Sequence, residues 1–379
     1  MLVAAVLFCA CGCYERDVAW LPDSSGFVYT DKEGTRLVQY DVGKKARRVI
    51  VEDTKLYCRG PAVSPDGKHF ALAKCESTST VGSRTVTRKL VVVIFDREGR
   101  EQGRSKVLEF EENARAPAGE YDTGTSPGWS LVCWEGHPDR LLTPFGIYDR
   151  KADRWIKLPA IPIVFTVPGC PPTAKGFLAA EVDPLKPGVT EKKGERKLCF
   201  IDWDGWASDF KEPVKDLERD ELISGGWDDR TWRLVTTGGV YSFDTVGLKH
   251  EFTKVPDKAW DALGRPGRYH RFAGTDLVLA AFERKLKPDG YETAHRLELH
   301  APGKQRRKVV FVDGEYLGFH LYPSPNGKLV AVRCFHPGEK EVFDKEKLAF
   351  VPRVPPVPPK NVIVVFDDTG EVVATVKPE

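Results

Sequence analysis

Three observations predict an all-β fold. First, seven β-rich runs each lead into a polar turn: 37–41 (LVQYD), 90–96 (LVVVIFD), 145–149 (FGIYD), 198–202 (LCFID), 240–244 (VYSFD), 297–300 (LELH) and 362–367 (VIVVFD). Their last residues are spaced by 55, 53, 53, 42, 56 and 67 positions, mostly more than the ~40–45 of a minimal four-stranded repeat. Second, the turn-and-strand stretch 61–75 (PAVSPDGKHFALAKC) returns as 321–335 (LYPSPNGKLVAVRCF). Third, no convincing amphipathic helix separates the strand pairs. Hairpins repeated in this way predict a β-propeller of seven four-stranded blades. Six is the alternative, with the weak fourth or sixth unit absorbed by a neighbour as an insertion.

The chain is 379 residues long, and a repeat that runs through it favours one domain over several. Its 41% hydrophobic and 30% charged residues are ordinary for a globular protein, and a formal charge of +2 favours neither nucleic acid nor a membrane surface. Residues 14–379 are read as a single propeller domain behind a leader at 1–13. The blades are placed at about 15–51, 57–110, 129–158, 162–214, 221–255, 268–312 and 316–376.

The leader holds the apolar run 2–10 (LVAAVLFCA), too short to span a bilayer and suited to the core of a signal peptide. No Lys or Arg precedes Arg16, which leaves a start upstream of Met1 open. Ala10-Cys11-Gly12-Cys13 resembles the bacterial lipobox, and that resemblance implies lipidation at Cys13. It departs from the pattern at Ala10, where Leu is usual. Cys11 is the weaker alternative anchor. Simple secretion, or a misassigned start that exposes a first strand, are the other readings.

The turns come next. In Ser64-Pro65-Asp66-Gly67, Ser stands at the first turn position, Pro fixes φ at the second, and Gly accepts positive φ at the fourth. Ser324-Pro325-Asn326-Gly327 repeats the device, and 20–26 (WLPDSSG) gives a longer version. After each acid-terminated run a partner strand is expected, at 48–51, 106–110, 155–158, 210–214, 251–255, 308–312 and 372–376. The first-half hairpins not yet named pair 131–134 with 140–143, 164–167 with 176–180, 222–226 with 232–236 and 269–272 with 277–281. Residues 64–72 and 324–332, with 20–29 as a partial match, resemble the periplasmic TolB-like propeller repeat, also found in the propellers of prolyl-oligopeptidase-type enzymes. The resemblance implies a fold far more firmly than an activity.

Of nine cysteines, six lie beyond the leader, a number compatible with an oxidising compartment. If Ser64 sits opposite His69, cross-strand partners sum to 133, and Cys58 with Cys75 meets that sum. This pair is a candidate disulfide across one hairpin. A one-residue slip would put the two on opposite faces as free thiols.

Antiparallel blades send their first-to-second and third-to-fourth turns to one edge and their second-to-third connections to the other. The long segments 76–88, 181–196, 283–295 and 336–360 are second-to-third connections, and the link 111–128 joins them on the same edge. Loops of that length are often functional, which makes this edge the candidate binding surface. Neutral insertion is the competing reading. Within the longest loop, 351–359 (VPRVPPVPP) is too proline-rich for a ladder and is expected in polyproline II.

Catalytic patterns are poor. Gly124-Thr125-Ser126-Pro127-Gly128 matches G-x-S-x-G by letter, but Pro127 has no N–H for an oxyanion hole. The histidines show no zinc spacing, phosphate-binding glycine loops are missing, and 202–209 lacks the acidic ligands of a calcium loop. The basic turns 43–48 and 303–308 could form a cationic edge. Trp129, Trp134, Trp155, Trp227 and Trp232 sit on or beside predicted strands, where core packing is expected rather than sugar stacking. No catalytic residue, metal ligand or cofactor is assigned. The reading is a non-catalytic exported propeller, periplasmic or associated with a bacterial cell envelope, whose one candidate membrane attachment is a lipid anchor at Cys13. It would bind another envelope protein, or a glycan or small ligand, on its long-loop edge. The alternative is a hydrolase or lyase with its site in the central channel.

Overall fold

The structure, a computed structural model, describes residues 18–31, 35–52, 60–79, 85–113, 132–134, 136–143, 146–158, 161–162, 175–181, 197–209, 222–228, 231–236, 240–244, 249–253, 268–285, 293–301, 306–311, 318–336, 339–344, 349–357 and 360–378. Every regular element among them is a strand, so the fold is all-β.

The strands form consecutive antiparallel meanders. The first contains Val18–Trp20 (β1), Gly26–Asp31 (β2), Arg36–Asp41 (β3) and Ala46–Glu52 (β4), paired in chain order. The second contains Ala62–Val63 (β5), His69–Ser79 (β6), Thr85–Asp96 (β7) and Glu101–Arg104 (β8), with Leu108–Asn113 (β9) also paired to β7. The third contains Arg140–Thr143 (β10), Gly146–Asp149 (β11) and Arg154–Lys157 (β12), entered through a bridge between Cys133 and Leu142. The fourth runs Ile161–Pro162 (β13), Gly176–Glu181 (β14), Lys197–Asp202 (β15) and Ala207–Asp209 (β16). The fifth runs Leu222–Asp228 (β17), Thr231–Thr236 (β18), Val240–Asp244 (β19) and Lys249–Thr253 (β20). The sixth is Arg268–Arg271 (β21), Val278–Lys285 (β22), Thr293–Ala301 (β23) and Arg306–Phe311 (β24). The last holds Gly318–Pro323 (β25) and Leu329–His336 (β26), then a separate hairpin of Glu339–Asp344 (β27) and Ala349–Val357 (β28), and finally Lys360–Asp367 (β29) and Val372–Val376 (β30).

All seven runs that carry the sequence signal are third strands. Their near-continuous apolar character has a packing cause where both faces are seen covered, in the first, second, third and last meanders. In the first meander Phe27 and Tyr29 of β2 pack with Tyr322, Val365 and Val376 of the last, while Val28 packs with Phe70, Leu72 and Val93 of the second. Alternate residues of one strand therefore serve two neighbours, as a period of two requires. The second packs on the third through Leu90, Ile94, Trp134 and Leu141, and the third on the fourth through Ile147, Phe177 and Trp203. The sixth packs on the last through Phe272, Leu279, Leu321 and Phe366. Each such buried side chain contributes about 1.5–3 kcal/mol. Exposure rises outward, from a wholly buried β2 to a β4 with most positions in solvent.

The fifth and sixth meanders join differently. β17 pairs in parallel with β21, aligning Gly225 with Arg268, Gly226 with Tyr269 and Trp227 with His270.

The acid at the end of a third strand has a local role. Asp96 Oδ1 accepts the N–H groups of Glu98 and Arg100, Asp202 Oδ1 those of Asp204 and Trp206, and Asp367 Oδ1 those of Thr369 and Glu371. A short carboxylate that satisfies turn donors is what a tight reversal needs. Gly99 closes one of these turns at φ 83°, where an added Cβ would lie 1.9 Å from the Ile50 carbonyl oxygen. The Ser-Pro turns work in parallel fashion: Ser64 Oγ accepts from His69 N and donates to Asp66, and Ser324 Oγ accepts from Leu329 N and donates to Asn326.

Several expectations need correction. The partner strand expected at 106–110 starts at Leu108 as β9 and is preceded by a second partner, β8, at Glu101–Arg104; Ser105 lies between them, donating its N–H to Val92 O and accepting Val92 N on its hydroxyl. The described strands that begin and end the fourth meander are Ile161–Pro162 and Ala207–Asp209; the strands expected at 164–167 and 210–214 lie outside the described residues. Segments 76–88 and 283–295 are not wholly loops: β6 and β7 stay paired out to Ser79 and Val86, and β22 and β23 out to Lys285 and Thr293. Nor is 351–357 polyproline II. It belongs to β28, which pairs with β27 at Phe343–Phe350, Val342–Val351 and Glu341–Pro352, with an irregular register between Glu339 and Glu341. Proline is tolerated on an edge strand and at such irregularities, where no ladder hydrogen bond is lost.

Candidate functional site

Antiparallel order sorts every connection to one of two edges, and the two edges are built differently. On the edge of the second-to-third connections, the first meander is short and turns back after Asp31 pairs with Arg36. Its neighbours are extended. The β6–β7 ladder runs without a break from His69–Asp96 to Ser79–Val86, and β9 pairs along 85–90 to make the outer part three-stranded. The last meander inserts the β27–β28 hairpin, and β22–β23 lengthens the sixth. Asp31 is buried at the end of the short first hairpin, and Arg36 pairs with Glu52 beside it. Lys89 and Glu109 pair across β7 and β9 at 3.7 Å, both well exposed; such a pair adds little stability.

The opposite edge is compact and densely hydrogen-bonded. Asn326 N donates to Ser24 Oγ, Arg48 Nη2 to Arg97 O, and Ala273 N to Gly327 O, each across a boundary between meanders. A shallow cleft of about 380 Å³ lies here in the second meander, lined by Lys68, His69, Asp96, Arg97, Glu98, Arg100 and Gln102. Asp96 is fully engaged, its Oδ1 by two backbone N–H groups and its Oδ2 by Arg100 Nε at 2.7 Å and Gln102 Nε2 at 2.8 Å. Burial pushes its carboxyl up, but the Arg100 and Glu98 hydrogen bonds outweigh that and hold it below the usual carboxylate range. Burial, then the Arg150 cation, lowers His69. A carboxylate with every lone pair taken is a poor base, and this cleft pairs no nucleophile with a general base.

The third and fourth meanders meet on the same edge in a polar corner. Arg140 places Nε 3.4 Å from Asp149 Oδ2 and Nη1 2.8 Å from Asp204 Oδ1. His137 lies against the Trp203 ring at 5.6 Å between centroids, and its Nδ1 accepts from Asp139 N. That bond leaves the proton on Nε2. Burial, then Arg140, lowers its pKa, so the ring is neutral at pH 7.

A third polar group is internal. On β23, Arg296, Glu298 and His300 alternate to one face, with Arg296 Nε 2.5 Å from Glu298 Oε1 and His300 Nε2 2.9 Å from Glu298 Oε2. The Arg296 guanidinium lies 4.9 Å over the Phe282 ring, which also neighbours His300 at 5.8 Å. Glu298 and His300 are buried, while the Arg296 side chain is 39% exposed, so the array joins a covered carboxylate and imidazole to a guanidinium that reaches solvent. His270 of β21 is also buried. Its Nε2 is 3.3 Å from Gly327 O, and burial pushes its pKa down to about 4 against the opposing pull of that carbonyl.

The residues singled out by sequence fall as follows. Cys13 and Cys58 lie outside the described residues, as does 124–128. Cys75 is in β6 opposite Leu90, and Ala62–Ala71 and Val63–Phe70 keep the sum of 133. In the basic turn at 43–48, Lys44 N caps on Asp41 and Arg48 is spent on Gln39 and Arg97 O; 306–308 is the start of β24. Trp134 and Trp155 are packed and hydrogen-bonded, to Pro138 O and Lys106 O respectively. The Arg140 link and the β23 array had no sequence motif to announce them. Only the charge alternation of 296–300 (RLELH), in a strand whose Leu297 and Leu299 are core, carried a signal. Among the described residues no cluster of three or more metal-binding side chains occurs.

No family model matches the sequence, and no curated protein matches it. Among solved structures, the chain is similar to one described as "Crystal Structure of Mitotic Checkpoint Complex", with 8% identity, a TM-score of 0.43, and coverage of 83% of this chain and 82% of that one. That likeness assigns no residue and no activity.

Proposed function

We propose that the chain is a seven-bladed β-propeller, exported to the cell envelope, that serves as a non-catalytic interaction module. Consecutive meanders packed face to face, with the first against the last, support the propeller reading. Export rests on the apolar leader, and a lipid anchor at Cys13 on the lipobox-like residues around it.

One observation carries the interaction reading. The second, sixth and last meanders are all elaborated on the same edge, by ladder extension, by a third strand or by an inserted hairpin. Paired hairpins present a partner with hydrogen-bonded backbone at less entropic cost than unpaired loops would.

The test is crosslinking mass spectrometry on the chain captured from its native membrane and soluble fractions, beside a variant lacking 339–357. A partner crosslinked to the hairpin edge of the wild type and lost from the variant supports the module. Partners crosslinked only to the opposite edge, or no partner in either fraction, would sink it.

A further inference from the structure

The β26–β29 ladder ends at His336–Lys360, and the β27–β28 hairpin is inserted between those two strands as a sheet of its own. Neither outer edge of that sheet has a strand partner among the described residues. Two strands alone are marginally stable in water, and three or more are usually needed. The hairpin is thus a sheet short of strands, on the edge read above as the interaction surface.

Its two outer edges differ. β28 carries Pro352, Pro355 and Pro356, and its register jumps from Pro352 opposite Glu341 to Val357 opposite Glu339, so that 353–356 face Lys340 alone. Successive N–H groups of a strand point to opposite edges, so two consecutive prolines take a donor from each. Such an edge cannot template a continuous ladder. β27 (EKEVFD) has no proline, and the extra residues of the irregularity all belong to its partner. Its outer edge keeps the N–H and C=O groups that pair with another strand.

The order of charges along β27 selects that strand. When a second copy of β27 lies antiparallel to the first about a two-fold axis at Val342, Lys340 stands opposite Asp344 of the second copy, and Asp344 opposite its Lys340. Val342 meets its own counterpart between them, and Glu341 stands opposite Phe343 of the second copy. Opposed residues share a face, so the two ion pairs flank the valine pair on one side of the sheet. An axis at Glu341 would set two glutamates against each other, and one between Glu341 and Val342 would set Glu339 against Asp344. No other two-fold register pairs as many residues of the strand, and like charges directly opposite are destabilising. Charges on an edge strand ordinarily keep copies apart. Here they attract in one register and repel in the other two.

We propose that the chain forms a two-fold homodimer in which β27 pairs with β27 of a second copy, completing a four-stranded sheet in the order β28–β27–β27–β28. The inference rests on the elaborated edge being an interaction surface, and it names a second copy as the occupant. Pairing of 340–344 alone buries less than the roughly 1,200–2,000 Å² of a standard interface, so the dimer is weak, with a Kd of about 10–100 µM.

The test is sedimentation equilibrium of the purified full chain over a concentration series through that range. The wild type should rise from the mass of one chain toward that of two. Lys340→Asp and Asp344→Lys each set like charges opposite one another at both ends of the pairing, and each should weaken the dimer by about tenfold or more. Both substitutions in one chain restore opposite charges and should restore the dimer, as should mixing the two single variants. Misfolding of a variant could not produce that recovery. A wild type at the mass of one chain throughout, a dimer that survives either single exchange, or a double variant no better than the singles would overturn the proposal. The two readings fail separately: a single-chain mass removes the dimer, whereas the interaction surface falls only when no protein of any kind is captured through the hairpin edge.

Discussion

The indole Nε1 of Trp20 donates to the backbone carbonyl of Tyr322 at 2.7 Å, joining β1 to β25 across 302 positions of sequence. Around it Trp20 meets Phe27 edge-on at 5.3 Å, and both share a cluster with Tyr322, Ala331 and Val365 of the last meander. The two ends of the described chain are thus held together by one buried bond set in an apolar seam.

Replacing Trp20 separates the bond from the packing. Trp20→Phe keeps a ring and loses the donor to the Tyr322 carbonyl, and should cost about 0.5–1.5 kcal/mol. Trp20→Ala should cost about 3–5 kcal/mol by opening a cavity in the seam. Urea denaturation followed by circular dichroism separates the two. Equal losses for the two variants would show that the bond, and not the packing, holds the seam.

Glu298 sits between Arg296 and His300 and is 2% exposed. Glu298→Ala leaves a guanidinium and an imidazole without their acid in a covered sheet, and should cost about 3–5 kcal/mol, the scale for removing one partner of a buried pair. Glu298→Gln, with its shape retained, should cost less. A loss below about 1 kcal/mol for the alanine variant would mean that the array is effectively solvated.

His270 makes stability pH-dependent. Its folded pKa is pushed down to about 4 from an ordinary 6.5, so between those pH values the unfolded chain binds a proton that the folded chain does not. Stability from this group is complete above pH 6.5 and falls as pH drops toward 4, by roughly 3 kcal/mol in all. Carboxylates also titrate in that range, so the measurement is a difference. His270→Gln should flatten the decline in unfolding free energy between pH 6.5 and 4 relative to wild type. An identical pH profile for the two proteins would contradict the burial of a neutral imidazole.

How far the fold is legible in the sequence depends on the range of the interaction. The acid-terminated runs and the Ser-Pro turns are readable because their chemistry is local: Asp96 and Asp367 cap turns within four residues, and Ser64 reaches only to His69. Residues 76–79 and 85–88, rich in Ser and Thr, look like loop until β6 and β7 are seen to pair out to Ser79–Val86. The prolines of β28 hide a strand for the same reason, since pairing with β27 and not composition decides it. On the compact edge, Asp204 and Arg140 are 64 positions apart, and no spacing rule could join them.

By itself the sequence determined that this chain is all-β, where most strands lie, and which turns close on a carboxylate or a hydroxyl, because those outcomes follow from a period of two and from bonds between near neighbours. Tertiary structure alone decided which meanders pack together, that Glu298 and His300 of β23 are buried, and that Trp206 stands in solvent where Arg100 and Glu371 stand in sister turns. Burial is a property of what comes to lie opposite a residue. Identical local bonds leave it undetermined until the neighbouring sheet is in place.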